Sequence, residues 1–175
     1  MEEWDIYNKQ RQMINKTAIR DVTELAPGEF HLIVKFIAIN PKGEVLLTQR
    51  AEYKPYGLYW ECGGGSIKKG ETSLEGVSRE AEEEVGFKVD QDRAFLLESK
   101  LYKRCIGDIW VFPQDIKNEE ITFPDGESIN SKWVTIDDIY KMKEDKTFSP
   151  VDPLDREMYD EAINMIQVLY PDYLK

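Results

Sequence analysis

A chain of 175 residues, 41% hydrophobic and 33% charged, with 23 Lys and Arg against 34 Asp and Glu, carries a formal net charge of −11. At this length one core forms without disulfides, so residues 1–175 read as one domain, with residues 1–27 as an N-terminal extension. Two cysteines (Cys62, Cys105) and a single histidine, His31, exclude a disulfide framework, a four-ligand zinc site and histidine-rich metal chemistry. The acidic balance argues against a nucleic-acid scaffold, and the lack of a leader-like start or an apolar run of about 18 residues argues against secretion and membrane spanning, which makes the expected location cytoplasmic.

Residues 4–19 predict a small hairpin. Residues 30–40 (FHLIVKFIAIN) are rich in β-branched and aromatic side chains, and Asn40-Pro41-Lys42-Gly43 forms a turn before the strand pattern resumes at residues 44–50, which together predict a β-hairpin. Further strands are expected at 58–61, 94–103, 108–112 and 132–134. Between them, Thr72-Ser73-Leu74-Glu75 has the form of a capping box. Leu74, Val77, Ala81 and Val85 follow at helical spacing until Gly86 stops the helix. Thr135 with Asp138 caps a short helix through Met142. Asp152-Pro153 is expected to open a last helix with the apolar face Leu154, Met158, Ala162, Met165, Ile166 and Leu169, after a loop at 143–151. Strands alternating with a few helices predict an α/β layered domain.

The acidic charge is uneven. Residues 71–90 hold two basic and seven acidic groups, a net −5, and residues 115–161 hold six and fourteen, a net −8. With Leu74 at the zero of a helical wheel, Glu80, Glu83 and Glu84 fall on one flank at about 240°, 180° and 280°, and Glu82 lies apart. Like charges at this spacing cost about 0.2–0.5 kcal/mol per pair, and carboxylates in a C-terminal turn also oppose the helix dipole. A divalent cation reverses that sign, because hard cations such as Mg²⁺ take carboxylate, carbonyl and phosphate oxygens. A plain solvated acidic face is the alternative. Gly63-Gly64-Gly65 allows close backbone approach just before the helix, so a loop carbonyl can join the ligand set. Arg79 can pair with Glu71 across the loop, with Lys68 and Lys69 between as phosphate contacts.

Gly65, Glu71, Arg79, Glu80, Ala81, Glu83, Glu84, Gly86 and Phe87 match the Nudix box, G-x5-E-x7-R-E-U-x-E-E-x-G-U, without a gap over 23 residues. The chain therefore resembles the Nudix hydrolases over residues 28–169. The resemblance implies an α/β/α sandwich with a mixed sheet between helices, and Mg²⁺-dependent (or Mn²⁺-dependent) hydrolysis of a pyrophosphate bond in a nucleoside diphosphate linked to another moiety. It further implies that Glu80, Glu83, Glu84 and the Gly65 carbonyl hold metal, and that Glu71 and Arg79 form a structural salt bridge. The catalytic set is Glu83, Glu80 and Glu127. Glu83 is the first choice of base, and Glu127, six residues before Trp133 in a loop where related pyrophosphatases place a catalytic glutamate, is its rival. Arg50, Lys54, Lys68, Lys103 and Arg104 are candidate phosphate contacts, and Tyr56, Tyr59 and Trp60 are candidate stacking groups. The expected partner is a small phosphorylated substrate, a nucleotide in the first instance. The oligomeric state stays open, a homodimer included.

Two other functions compete. Trp4-Asp5-Ile6-Tyr7 and Phe30-His31-Leu32 resemble the isopentenyl diphosphate isomerase branch of the same superfamily. That branch, however, carries its cysteine at the position of Gly64 and a second histidine, and this chain has only Cys62 and His31 nearby. These features are read as an isomerase-like N-terminus on a hydrolase. A non-catalytic nucleotide-binding module is the other alternative, and the intact acidic positions of the box count against it.

Overall fold

The structure, a computed structural model, describes residues 1–175. The first two strands, β1 (Glu3–Tyr7) and β2 (Met13–Ile19), form an antiparallel hairpin on their own. The main sheet runs β5-β4-β3-β8-β7, built from β3 (His31–Ile39), β4 (Val45–Arg50), β5 (Trp60–Glu61), β7 (Phe95–Leu101) and β8 (Cys105–Pro113). Only the β3–β8 pair is parallel, which makes the sheet mixed. The predicted hairpin of β3 and β4 splays at once, pairing only at Ile39 with Val45. The edge that β3 frees is taken by β6 (Gly64–Ser66), and β4 is paired along its length by β9 (Ser128–Val134).

Two-residue periodicity in β3 sorts its side chains to opposite faces. Leu32, Val34, Phe36 and Ala38 face α1 (Ser73–Val85) and pack with Val77, Ala81, Val85, Phe87 and Phe112. Ile37 and Ile39 point the other way, onto α2 (Ile136–Glu144) and α3 (Arg156–Leu169), with Ile109, Val111, Ile139, Leu154 and Ile166. The sheet thus lies between helices, as an α/β/α sandwich requires. No helix is long and apolar enough to cross a membrane.

Four further expectations change. The last helix opens at Arg156 on an Asp155 cap rather than at Asp152-Pro153, because the Asp152 carboxylate is taken by the N–H groups of Cys62 and Leu154. Its apolar face is narrower than the spacing implied, since Met165 and Leu169 are exposed. The strand at 132–134 extends back to Ser128 because β4 offers partners that far, and the glycine triplet supplies a strand, β6, where only a loop was expected.

Candidate active site

The α1 termini are set by their own residues. The Thr72 hydroxyl accepts from the Glu75 N–H, the Glu75 carboxylate accepts from the Thr72 N–H, and Gly86 closes the helix at φ 73° with its N–H on the Glu82 carbonyl. With the helix phase fixed, Glu82 is exposed, Glu83 is half-buried, and Glu84 is turned into the protein with 4% of its surface exposed.

The glycine triplet is what lets these acids sit against backbone. Gly64 adopts φ 149° beside the Val34 carbonyl, and its N–H donates to Glu84 Oε2 at 3.0 Å. The Glu80 carboxylate lies directly on Gly65, where any Cβ would overlap it. Burial pushes the Glu84 carboxyl up to about 8, and Glu80 and Glu61 push the same way against Lys35. Glu80 is raised too, first by burial, with its hydrogen bond from Arg79 opposing.

Arg79 is the hub of the loop-to-helix contact. Its Nε and Nη2 donate to the two Glu71 oxygens at 2.7 and 3.0 Å, Nη2 also donates to the Ser66 carbonyl, and Nη1 reaches Glu80 and Glu83, each at 2.8 Å. Burial works against the Glu71 carboxylate, but the Arg79 hydrogen bonds and the Lys68 N–H hold it below the usual glutamate range. Lys68 Nζ approaches Glu83 Oε1 at 3.3 Å.

Gly64, Gly65, Ser66, Arg79, Glu80 and Glu83 line a cleft of about 480 Å³, and Glu71 and Glu84 are not part of its lining. Arg50, Lys54, Tyr56, Lys68 and Glu127 also line it, so the structure brings most of the predicted contacts to one place. Arg50 is committed to Glu61 and the Pro55 carbonyl, and Lys54 to Glu127. The Glu127 turn is hung from the Ala51 N–H, and the Asp125 N–H donates to the Glu83 carbonyl, which places the two rival glutamates on one cleft. Lys103 and Arg104 do not reach it. They sit exposed in the turn between β7 and β8, where the Arg104 carbonyl accepts the His31 N–H. Tyr59 lines a separate depression with Lys143 and Phe148, and Trp60 packs under Lys132, whose Nζ is 4.0 Å from its ring centre.

Lys35 lies outside the set of residues predicted from spacing. Its Nζ lies 3.2 Å from Glu61, 3.7 Å from Asp152 and 2.7 Å from the Cys62 carbonyl. Burial opposes its charge, yet Glu61, Asp152 and Glu84 together raise its pKa. The signal was a lone cation inside an apolar strand, since a buried lysine must find acids. Asp125 and the hairpin residues Glu2 and Arg20, which also line the cleft, had no such signal. His31 and Cys62 lie outside this chemistry: His31 stacks on Trp4 at 4.2 Å, and Cys62 is buried with its thiol pKa pushed well up, first by burial.

The donor chemistry suits a hard divalent cation, with carboxylates and a loop carbonyl and no soft ligand. In the present arrangement the box carboxylates do not converge on one point, because Arg79 Nη1 lies between Glu80 and Glu83, and Glu84 faces Gly64.

A NUDIX domain model matches residues 29–156. An uncharacterised Nudix hydrolase of Listeria monocytogenes is 32% identical over 152 residues, covering 86% of this chain and 89% of that protein, and its Listeria innocua counterpart is 33% identical over the same span. Among solved structures, a Deinococcus radiodurans protein aligns with a TM-score of 0.72 at 16% identity, covering 93% of this chain and 98% of its own. The NUDIX domain of Shewanella oneidensis NrtR, solved with ADP ribose, aligns with a TM-score of 0.59 at 14% identity over 85% of this chain and 94% of its own.

Proposed function

Since the chain belongs to the Nudix family, and so is a hydrolase of pyrophosphate-containing compounds, we propose that it uses Mg²⁺ to cleave the pyrophosphate of a nucleoside diphosphate linked to a second moiety. The observation that carries this reading is the stacking of the Glu80 and Glu84 carboxylates against the backbone of Gly63–Gly65, with Glu80 lining a cleft that also presents Lys54, Lys68 and Tyr56. Two carboxyls raised by burial beside each other are a poor arrangement alone and a good one around a cation. The NrtR domain's complex with ADP ribose supports a nucleotide-derived ligand in a fold of this shape.

Glu80, Glu83, Glu84 and the Gly65 carbonyl would hold the metal. When bound, Mg²⁺ neutralises phosphate charge and lowers the pKa of water. The rest falls to side chains of this chain. Lys54 and Lys68 face the cleft as phosphate contacts, and Tyr56 offers a ring for a base. Glu83, the most exposed of the three helix acids, takes the proton of the attacking water, so that substitution at phosphorus proceeds without a covalent enzyme intermediate. Glu127 is held by Lys54 and serves the cleft electrostatically.

The test is a panel of ADP ribose, nucleotide sugars, dinucleotides and free nucleoside di- and triphosphates with Mg²⁺ or Mn²⁺, following phosphate and nucleotide products. The expected result is metal-dependent release of a nucleoside monophosphate from at least one class. Isomerisation of isopentenyl diphosphate with no hydrolysis on the panel would overturn it.

A further inference from the structure

We propose that the N-terminal hairpin, which lies outside the matched family region, is a working part of the catalytic site, with Asp5 as a positioning residue for the loop that carries Lys68 and Glu71. The proposal rests on the hydrolase reading for its activity readouts only.

The loop at residues 67–72 bridges a three-residue strand and the α1 cap, with Ile67 buried in the core and the rest of the loop at the surface. Strand β1 lies along it. The Lys69 N–H donates to the Glu3 carbonyl at 2.8 Å, and the Gly70 N–H donates to Asp5 Oδ2, also at 2.8 Å. Gly70 has φ 82°, a left-handed conformation that favours glycine, in a turn closed by the Glu71 N–H on the Lys68 carbonyl at 3.1 Å. The two amides lie between Lys68 and Glu71. Fixing them fixes where the Lys68 N–H meets Glu71 Oε2 and hence how Glu71 presents itself to Arg79. The ion pair of Lys69 with Glu3 is half exposed on both sides and contributes little beside these bonds.

The hairpin is itself anchored to the base of the catalytic helix. Arg11, at its tip, makes a two-pronged ion pair with Asp108, which is fully buried and also accepts from the Ser99 hydroxyl at 2.7 Å and the Ser73 hydroxyl at 2.5 Å. Ser73 is the first residue of α1, and its hydroxyl takes a further hydrogen bond from Trp110 Nε1. At its open end the hairpin presents Glu2 and Arg20 to the cleft, paired at 3.3 Å. One element therefore bonds the loop before the helix, lines the cleft and reaches the start of the helix through Asp108. A strand that merely covered the core would need none of the three.

The test compares the wild type with Asp5→Ala and Asp5→Asn. Asparagine keeps an acceptor for the Gly70 N–H and alanine does not. Three quantities are read: amide exchange at Lys69 and Gly70 in metal-free protein, Mn²⁺ affinity by direct titration, and the Mg²⁺ concentration for half-maximal turnover. Asp5→Ala is expected to speed Gly70 exchange at least tenfold and to weaken Mn²⁺ binding and raise the Mg²⁺ requirement about tenfold, as loss of a group supporting metal ligands does. Its melting temperature stays close to wild type, and Asp5→Asn recovers most of each effect. Unchanged Gly70 exchange, or unchanged metal affinity with the amide freed, would overturn the proposal. If the wild type hydrolyses nothing on the panel, the hydrolase reading fails and the exchange and Mn²⁺ arms still decide this one.

Discussion

Lys35 shows how much one residue holds. Glu61 and Asp152 are buried acids facing its ammonium, with Glu84 close behind, and Arg50 closes the far side of Glu61. Removing one partner of a buried charge group leaves the others uncompensated, a loss of about 3–5 kcal/mol. Lys35→Met is expected to lower stability by that order in a denaturant titration; a change under about 1 kcal/mol would show that water reaches the network. The cysteines give a second check. Burial raises both thiol pKa values, and the Cys62 side is fully enclosed, with Asp152 adding to the shift. A raised pKa means less thiolate at a given pH, so at pH 8 a disulfide reagent should label Cys105 first and reach Cys62 only on unfolding.

At the scale of elements, the site depends on how closely α1 can approach β6. A methyl at Gly65 would occupy the place of the Glu80 carboxylate, which is the end of a side chain and can move, whereas a methyl at Gly64 would meet the Val34 carbonyl, which cannot. Gly65→Ala is accordingly expected to fold with a melting temperature within a few degrees of wild type and to lose at least tenfold in turnover. Gly64→Ala, strained at φ 149° as well, should lose both stability and activity. The sequence made α1 legible because its cap, apolar stripe and terminal glycine agree. It did not reveal that the glycines pair as a strand, since that pairing depends on β3 and β4 parting after Ile39, a tertiary event. The same holds for the last helix, whose start was displaced three residues by the demand of Cys62 and Leu154 on the Asp152 carboxylate.

Across the whole molecule, the net charge of −11 divides by location. Glu80 and Glu83 of α1 face a cleft that also holds Lys54 and Lys68, so the field met by a phosphate differs from that of the bulk surface. Of the nominated cations carried by the segments around β4 and β6, Arg50, Lys54 and Lys68 line the cleft, whereas Lys69 lies in a separate depression with Glu3. Lys103 and Arg104 do not reach the cleft, because the β7–β8 turn lies outside it. Residue types in the box thus pointed to the family, and only the sheet order showed which neighbouring charges share its cleft. The role of the box glutamates is tested most directly by the turnover of Glu83→Gln. With the substrate found on the panel and saturating Mg²⁺, this variant is expected to fall by about 10²–10⁴-fold with its fold intact, Glu127→Gln by far less, and the wild type to fall silent on metal removal. Hydrolysis that survived both the loss of metal and Glu83→Gln would contradict it.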